Sequence, residues 1–219
     1  GNVSHELKTP LSTIINIVEL LQNQKKITVQ ERNKFMKILN KESLKMKSII
    51  DDLLHLTKIE TDLTKKITKI ADLNEVVLDS ISRTQTSAKK NGIKIKYIRS
   101  KSANILGESN QLQQMIVNII DNSIKYADKK SLINIELKEF ENKLILSFRD
   151  KGKGIPQRLI PRITERFYRV PDTKIKNIEG TGLGLAIVKH IVIRHKAELK
   201  ITSKVNIGTT IEISFKKAS

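Results

Sequence analysis

Apolar residues at the start of the chain recur with a helical period. Leu7, Leu11, Ile14, Val18 and Leu21 step by four, three, four and three residues, which is the a/d seam of a coiled coil. After a polar stretch from Gln22 to Gln30, the positions Phe35, Leu39, Glu42, Met46, Ile49, Leu53 and Leu56 repeat that stepping, with Glu42 the one polar intruder. Residues 1–62 therefore predict two helices joined as an antiparallel hairpin. A lone hairpin leaves half of its apolar stripe uncovered, so it must pack either on a second hairpin, as a four-helix bundle, or on its own C-terminal domain.

The period changes after Thr61. Lys66–Ile70 alternates like a strand, Asp72-Leu73-Asn74-Glu75 has the form of a capping box opening a helix toward Asn91-Gly92, and Ile93–Ile98 alternates again. A helix is predicted from about Asn110 to Ala127, strands near 132–140 and 143–150 joined by a turn at Glu141-Asn142, and a long irregular loop over 151–181. A helix near 182–195 and strands near 198–203 and 209–216 close the chain. Mixed strands with helices gathered on one face predict an α+β class, an α/β sandwich following the helical hairpin.

Composition removes some options. None of the 219 residues is Cys, so disulfides and thiolate metal sites are excluded. No apolar run reaches the ~18 residues that span a bilayer and no leader pattern opens the chain, so this piece is expected to be soluble. The formal net charge of +18 raises nucleic-acid binding, but the lysines are spread along the chain. Five Phe, three Tyr and no Trp supply a poor stacking platform, so no nucleic-acid partner is expected.

Four short motifs carry candidate chemistry. In Ser4-His5-Glu6-Leu7-Lys8-Thr9-Pro10, His5 precedes the first seam position by two residues and points away from the bundle core. An exposed imidazole can attack phosphorus, Glu6 is the nearest carboxylate able to take its proton, and Thr9 lies at i+4 on the same face. Pro10 leaves the Glu6 carbonyl without a donor, so a kink is expected there. In the second motif, Asn118 and Asn122 are one turn apart, with Lys125 and Tyr126 following. The pair fits either the polar face of an amphipathic helix or a set of hard oxygen ligands for Mg²⁺. On the ligand reading, the Lys125 ammonium could meet a phosphate and Tyr126 could pack against an adenine.

Asp150 ends a strand and precedes Gly152 and Gly154, so its carboxylate can accept from an exocyclic amine while the glycines let backbone approach the base. Gly180-Thr181-Gly182-Leu183-Gly184 runs directly into a helical segment, and free amides at a helix start make an anion site.

The four motifs in this order resemble the H, N, G1 and G2 boxes of the sensor histidine kinases of two-component systems, over nearly the whole chain. The resemblance implies a dimerisation and phosphotransfer hairpin over 1–64 and a catalytic ATP-binding domain over 65–219, with an ATP lid at about 155–181. It makes His5 the phosphoacceptor, Glu6 the general base, and Thr9 a positioner of water in dephosphorylation of the partner. ATP and Mg²⁺ would be held by Asn118, Asn122, Lys125, Tyr126, Asp150, Gly152, Gly154, Arg169, Gly180, Thr181, Gly182, Leu183, Gly184 and Thr209, with Asn122 and Asn118 on the metal. Arg166-Phe167-Tyr168-Arg169 is similar to the family's F box, and the stretch 160–170 looks most like the phosphate-regulon sensor subfamily.

The implied partners are a second copy through residues 1–64 and a response-regulator receiver domain. The implied location is cytoplasmic, with any membrane contact through an upstream segment. His55, His190 and His195 are expected to be structural or surface residues.

Two departures are visible. The usual Gly-x-Gly-Ser/Thr pattern appears as Asn206-Ile207-Gly208-Thr209-Thr210, and the chain begins four residues before His5. The related ATPases carry a water-activating Glu where this chain has Asn118, which favours transfer over hydrolysis. A non-catalytic nucleotide-binding scaffold and an ATP hydrolase of the same fold remain the alternatives.

Overall fold

A computed structural model of the chain describes residues 3–23, 27–171 and 180–218. Helices α1 (Val3–Asn23) and α2 (Val29–Thr61) form the hairpin. The helix α1 runs through Pro10, which is buried. The start of α2 is fixed by a capping box: Thr28 Oγ1 accepts from the Glu31 amide at 3.2 Å, and the Glu31 carboxylate accepts from the Thr28 amide at 3.0 Å. The connecting residues 24–26 lie outside the described residues.

Along the hairpin, Pro10, Ile17, Ile49, Leu56 and Ile59 are buried, whereas Leu11, Ile15, Val18, Leu44, Ile50 and Leu54 are exposed. The stripe is thus split. Ile49, Leu56 and Ile59 join the core of the C-terminal part, and the other side stays open.

The rest is a two-layer sandwich. Strand β1 (Ile70–Asp72) is followed by α3 (Leu73–Lys90), β2 (Lys94–Ile98), β3 (Asn104–Leu106) and α4 (Ser109–Tyr126). Then come β4 (Leu132–Phe140), β5 (Lys143–Arg149), a 3₁₀ turn (Gln157–Arg162), α5 (Gly184–Arg194), β6 (Glu198–Lys204) and β7 (Gly208–Lys216). The main sheet has the order β2-β4-β5-β7-β6, parallel only between β2 and β4. Ile133, Ile135 and Leu137 alternate with Leu144, Leu146 and Phe148 and with Ile211, Ile213 and Phe215 to line its inner face, as a half-buried antiparallel sheet requires. Onto that face α4 brings Leu112, Met115, Ile116, Ile119 and Ile120, between α3 and α5.

Two expectations are corrected. The strand expected over Lys66–Ile70 is instead Ile70–Asp72, because its partner is the short β3, which pairs Ile70 with Leu106 and was not foreseen. At the helix start Asp72 does cap α3, accepting from the Asn74 and Glu75 amides. The loop over 151–181 holds a 3₁₀ turn, and its residues 172–179 lie outside the described residues.

Candidate nucleotide site and phosphoacceptor helix

Two strand ends and two helix ends meet at one rim of the sheet. Asp150 follows the last residue of β5, and its backbone and side chain are both tied to β7. The Asp150 amide donates to Thr209 O at 3.0 Å, the Thr209 amide donates to Asp150 Oδ1 at 3.1 Å, and Ser123 Oγ on α4 donates to Oδ2 at 3.3 Å. Burial pushes the Asp150 carboxyl above the usual carboxylate range, opposed by the Thr209 amide and then the Ser123 hydroxyl. The carboxylate is held in one orientation, with lone pairs left for another donor. Ser123 was not singled out in the sequence, although it sits inside the Asn118–Tyr126 motif.

The glycines are also required by the fold itself. A Cβ at Gly152 would stand 2.4 Å from the Tyr126 carbonyl oxygen, and one at Gly154 would stand 2.1 Å from that of Lys204. They permit close approach of the protein's own backbone at the end of α4 and in the β6–β7 turn. In that turn Asn206 replaces the expected glycine with a left-handed φ of 61°, a conformation that Asn adopts more readily than most residues. The departure in sequence therefore keeps the turn.

The pair on α4 faces the start of α5. A Cβ at Gly184 would lie 3.7 Å from Asn122 Nδ2 and 3.8 Å from Asn118 Oδ1. The side-chain nitrogen of Asn118 is buried and has no hydrogen-bond partner. No cluster of three or more His, Cys, Asp or Glu that could hold a metal occurs among the described residues. A divalent ion here would need the two amide oxygens together with phosphate oxygens and water, which suits Mg²⁺ better than a softer ion. The donor set fits Mg²⁺ carried by a nucleotide. Lys125 and Tyr126, at the end of the same helix, are exposed beside this rim, as is Gly180, which has open space around it.

At the opening of α5, Leu183 is fully buried, so only its backbone can serve a ligand, and its amide already donates to Thr181 Oγ1 at 3.2 Å. Gly182 has a φ of 72° and its carbonyl accepts from the Phe167 amide at 2.9 Å. The middle of the expected lid, at Phe167, is thus joined to Gly182 just past its C-terminal end. Phe167 is buried, Arg162 stacks over the Tyr168 ring at 4.4 Å, and Arg169 is exposed. Thr181 Oγ1 donates to Asp52 Oδ2 of α2 at 2.7 Å, a contact across sequence that no local pattern reveals.

The remaining motif is on the hairpin. His5 is exposed on α1, Glu6 beside it is half-buried, and Thr9 Oγ1 donates to the His5 carbonyl at 3.2 Å, which keeps Thr9 on the His5 face. His195, by contrast, is buried, with Nε2 accepting from the Glu108 amide at 3.0 Å and Nδ1 facing Ile191 O at 2.8 Å. It is a structural residue. His190 faces Glu60 of α2 at 3.5 Å, and His55 is exposed. No helix among the described residues is long and apolar enough to cross a membrane.

Residues 1–62 match the His Kinase A (phospho-acceptor) domain, and residues 107–219 match the family described as histidine kinase-, DNA gyrase B- and HSP90-like ATPase. The chain is 31% identical over 218 residues to the phosphate regulon sensor protein PhoR of Pseudomonas aeruginosa, covering 100% of this chain and 49% of that protein. It is also 31% identical over 216 residues to the sensor protein kinase WalK of Staphylococcus aureus, covering 98% of this chain and 52% of that protein. It therefore spans about half the length of these curated relatives. Among solved structures, histidine kinase ThkA in complex with response regulator protein TrrA superposes with a TM-score of 0.71 at 16% identity, over 99% of this chain and 60% of that one.

Proposed function

The chain belongs to the sensor histidine kinases of two-component systems and has the make-up of their catalytic core, and on that premise we propose which residues carry the reaction. ATP binds at the rim formed by α4, the end of β5 and the start of α5. The observation that carries this is the convergence itself: Asp150, the Asn118/Asn122 pair and the Gly184 helix start come from separate parts of the chain and meet there. In this reading Asp150 accepts from the adenine amine, and Tyr126 packs near the base. Lys125, Arg169 and the amides of the Gly180–Gly184 turn not bonded within it meet the phosphates, with Thr181 and Thr209 at the two ends of the site. Asn122 and Asn118 hold Mg²⁺, which supplies charge neutralisation to the phosphates.

The nucleophile is His5. One ring nitrogen gives its lone pair to the γ-phosphorus as the bond from phosphorus to the bridging oxygen breaks and ADP leaves with that electron pair. The proton on the other ring nitrogen becomes acidic and passes to Glu6. The phosphoryl group then moves to an Asp of a response-regulator receiver domain, a partner of the kind seated on ThkA in its complex. Thr9, on the His5 face, positions water for dephosphorylating that regulator.

The exposed apolar side of the hairpin supports a homodimer through residues 1–64. The core is cytoplasmic, where ATP is supplied, and the full protein is anchored in the cell membrane through an upstream segment.

The test is incubation with γ-labelled ATP and Mg²⁺. Wild type should give an acid-labile, base-stable phosphoprotein. His5→Gln should give none while keeping its ATP affinity, since the two sites lie on different parts of the fold. Undiminished labelling of His5→Gln would refute the assignment. Glu6→Gln should slow labelling by about 10²–10⁴-fold. Thr9→Ala should spare labelling and slow regulator dephosphorylation; equal effects of both variants on both reactions would remove that division of roles.

A further inference from the structure

The C-terminal half of α2 lies against the nucleotide domain through its carboxylates. Asp52 Oδ2 accepts from Thr181 Oγ1 at 2.7 Å; Glu60 is ion-paired with Arg166 and stands 3.5 Å from His190 Nδ1. Further on, the charge of Arg194 is felt at Asp62. The partners advance together along both elements, so α2 and α5 lie side by side in the same direction. Between these contacts Leu56 and Ile59 of α2 are buried in a core continuous with that of α5.

The Asp52 contact differs from the others in where it falls. Thr181 belongs to the glycine turn whose amides face the phosphates in the reading above. Its hydroxyl has one proton, given to Asp52, and it also accepts from the Leu183 amide, so its single donor is engaged. Asp52 is half-buried at this point, and burial raises its carboxyl pKa against the lowering by Thr181. Arg166, held by Glu60, directly precedes Phe167, whose amide bonds to Gly182 of the same turn. Hairpin carboxylates therefore touch the phosphate turn at Thr181 and grip the strand of chain that backs it.

We propose that Asp52 is a built-in competitor for the phosphate end of the site: docking of α2 through Asp52–Thr181 and binding of a nucleoside polyphosphate oppose each other. The proposal rests on the nucleotide reading above. Two anions placed on one turn repel, and the Thr181 proton cannot serve both. By linkage the effect is reciprocal, so phosphate-bearing ligands weaken docking by the same factor by which docking weakens them. The nucleotide domain is then released from the hairpin on ATP binding, and ADP, with less charge, releases it less.

Calorimetric titration with the imido analogue of ATP, with ADP and with AMP, each with Mg²⁺, tests this. Asp52→Asn should bind the analogue on the order of 5-fold more tightly than wild type. The gain should shrink through ADP to AMP and shrink at high salt. Glu60→Gln, which loosens docking away from the phosphates, should give a gain of similar size for all three. Because the chain has no Cys, cysteines placed at the exposed Lys37 and Lys200 can carry a dye pair. The analogue should lengthen the dye distance in wild type, and Asp52→Asn should start from the longer distance. Unchanged or weaker analogue affinity in Asp52→Asn, a gain equal for all three nucleotides, or a dye distance indifferent to the analogue would each overturn the competition. Failure of wild type itself to bind any of the three would instead overturn the nucleotide site, and the competition with it.

Discussion

Burial lowers the pKa of His195, and both of its ring nitrogens are committed. Because Nε2 accepts from the Glu108 amide, the proton must sit on Nδ1, which donates to Ile191 O. Only the neutral ring satisfies both bonds. In the unfolded chain the group titrates near its ordinary value of about 6.5. Below that pH the unfolded state takes up a proton that the folded state resists, so the stability contribution is complete above about pH 6.5 and is lost as pH falls toward the lowered folded value. His190, also lowered by burial, adds in the same direction. The urea midpoint should drop on acidification through this window, and the drop should be smaller in His195→Gln. An equal drop in both would refute the assignment.

Candidate residues were legible where they lie in short motifs: Asp150, Asn122 and His5 each sit in such a stretch. Ser123 and Asp52 were not. Their roles come from partners 27 and 129 positions away, which only the fold supplies. At the nucleotide rim, Asn122→Ala should weaken ADP chiefly when Mg²⁺ is present, and Asp150→Asn should weaken it with or without the metal. Titration of both variants in both conditions decides the map; an Asn122 defect independent of metal would break it.

Elements were read best where period and boundary signals agree. The helix α4 and the β4–β5 hairpin fall close to their expected limits because alternation and turn residues mark both ends, with Glu141 in the left-handed region at the turn. The strand near residue 70 was displaced because a three-residue strand has too few positions to show a period, and its pairing with β3 is set by tertiary contact. Thr28-x-x-Glu31 was readable as a capping box and marks the α2 start. Thr28→Ala should cost about 1 kcal/mol. Gly182 is more demanding: its φ is 72° and a Cβ would stand 2.8 Å from the Phe167 Cα. Gly182→Ala should lower the thermal midpoint and also loosen nucleotide binding, since the turn must shift away from Phe167. A variant with unchanged midpoint and unchanged affinity would show that the turn tolerates the side chain.

At the scale of the whole molecule, the apolar stripe of the hairpin is divided between two tasks. Ile49, Leu56 and Ile59 are buried with the nucleotide domain, so packing on the chain's own C-terminal part covers some of the stripe. What remains is Leu11, Ile15 and Val18, recurring at helical spacing on α1, with Ile50 and Leu54 on α2, the last 64% exposed. Aliphatic side chains in such an array on paired helices cost solubility unless covered, and a stable interface needs about 1,200–2,000 Å² in total. A second hairpin presents the same stripe, and two-fold pairing closes both at once. Sedimentation equilibrium should therefore give twice the chain mass for wild type. Ile15→Glu places a charge within the stripe without touching the buried Ile17 or the nucleotide rim, and should shift the species toward the single-chain mass while leaving ADP affinity intact. A wild type that runs as a single chain, or an Ile15→Glu variant as dimeric as wild type, would show that the open side of the hairpin serves something other than a second copy.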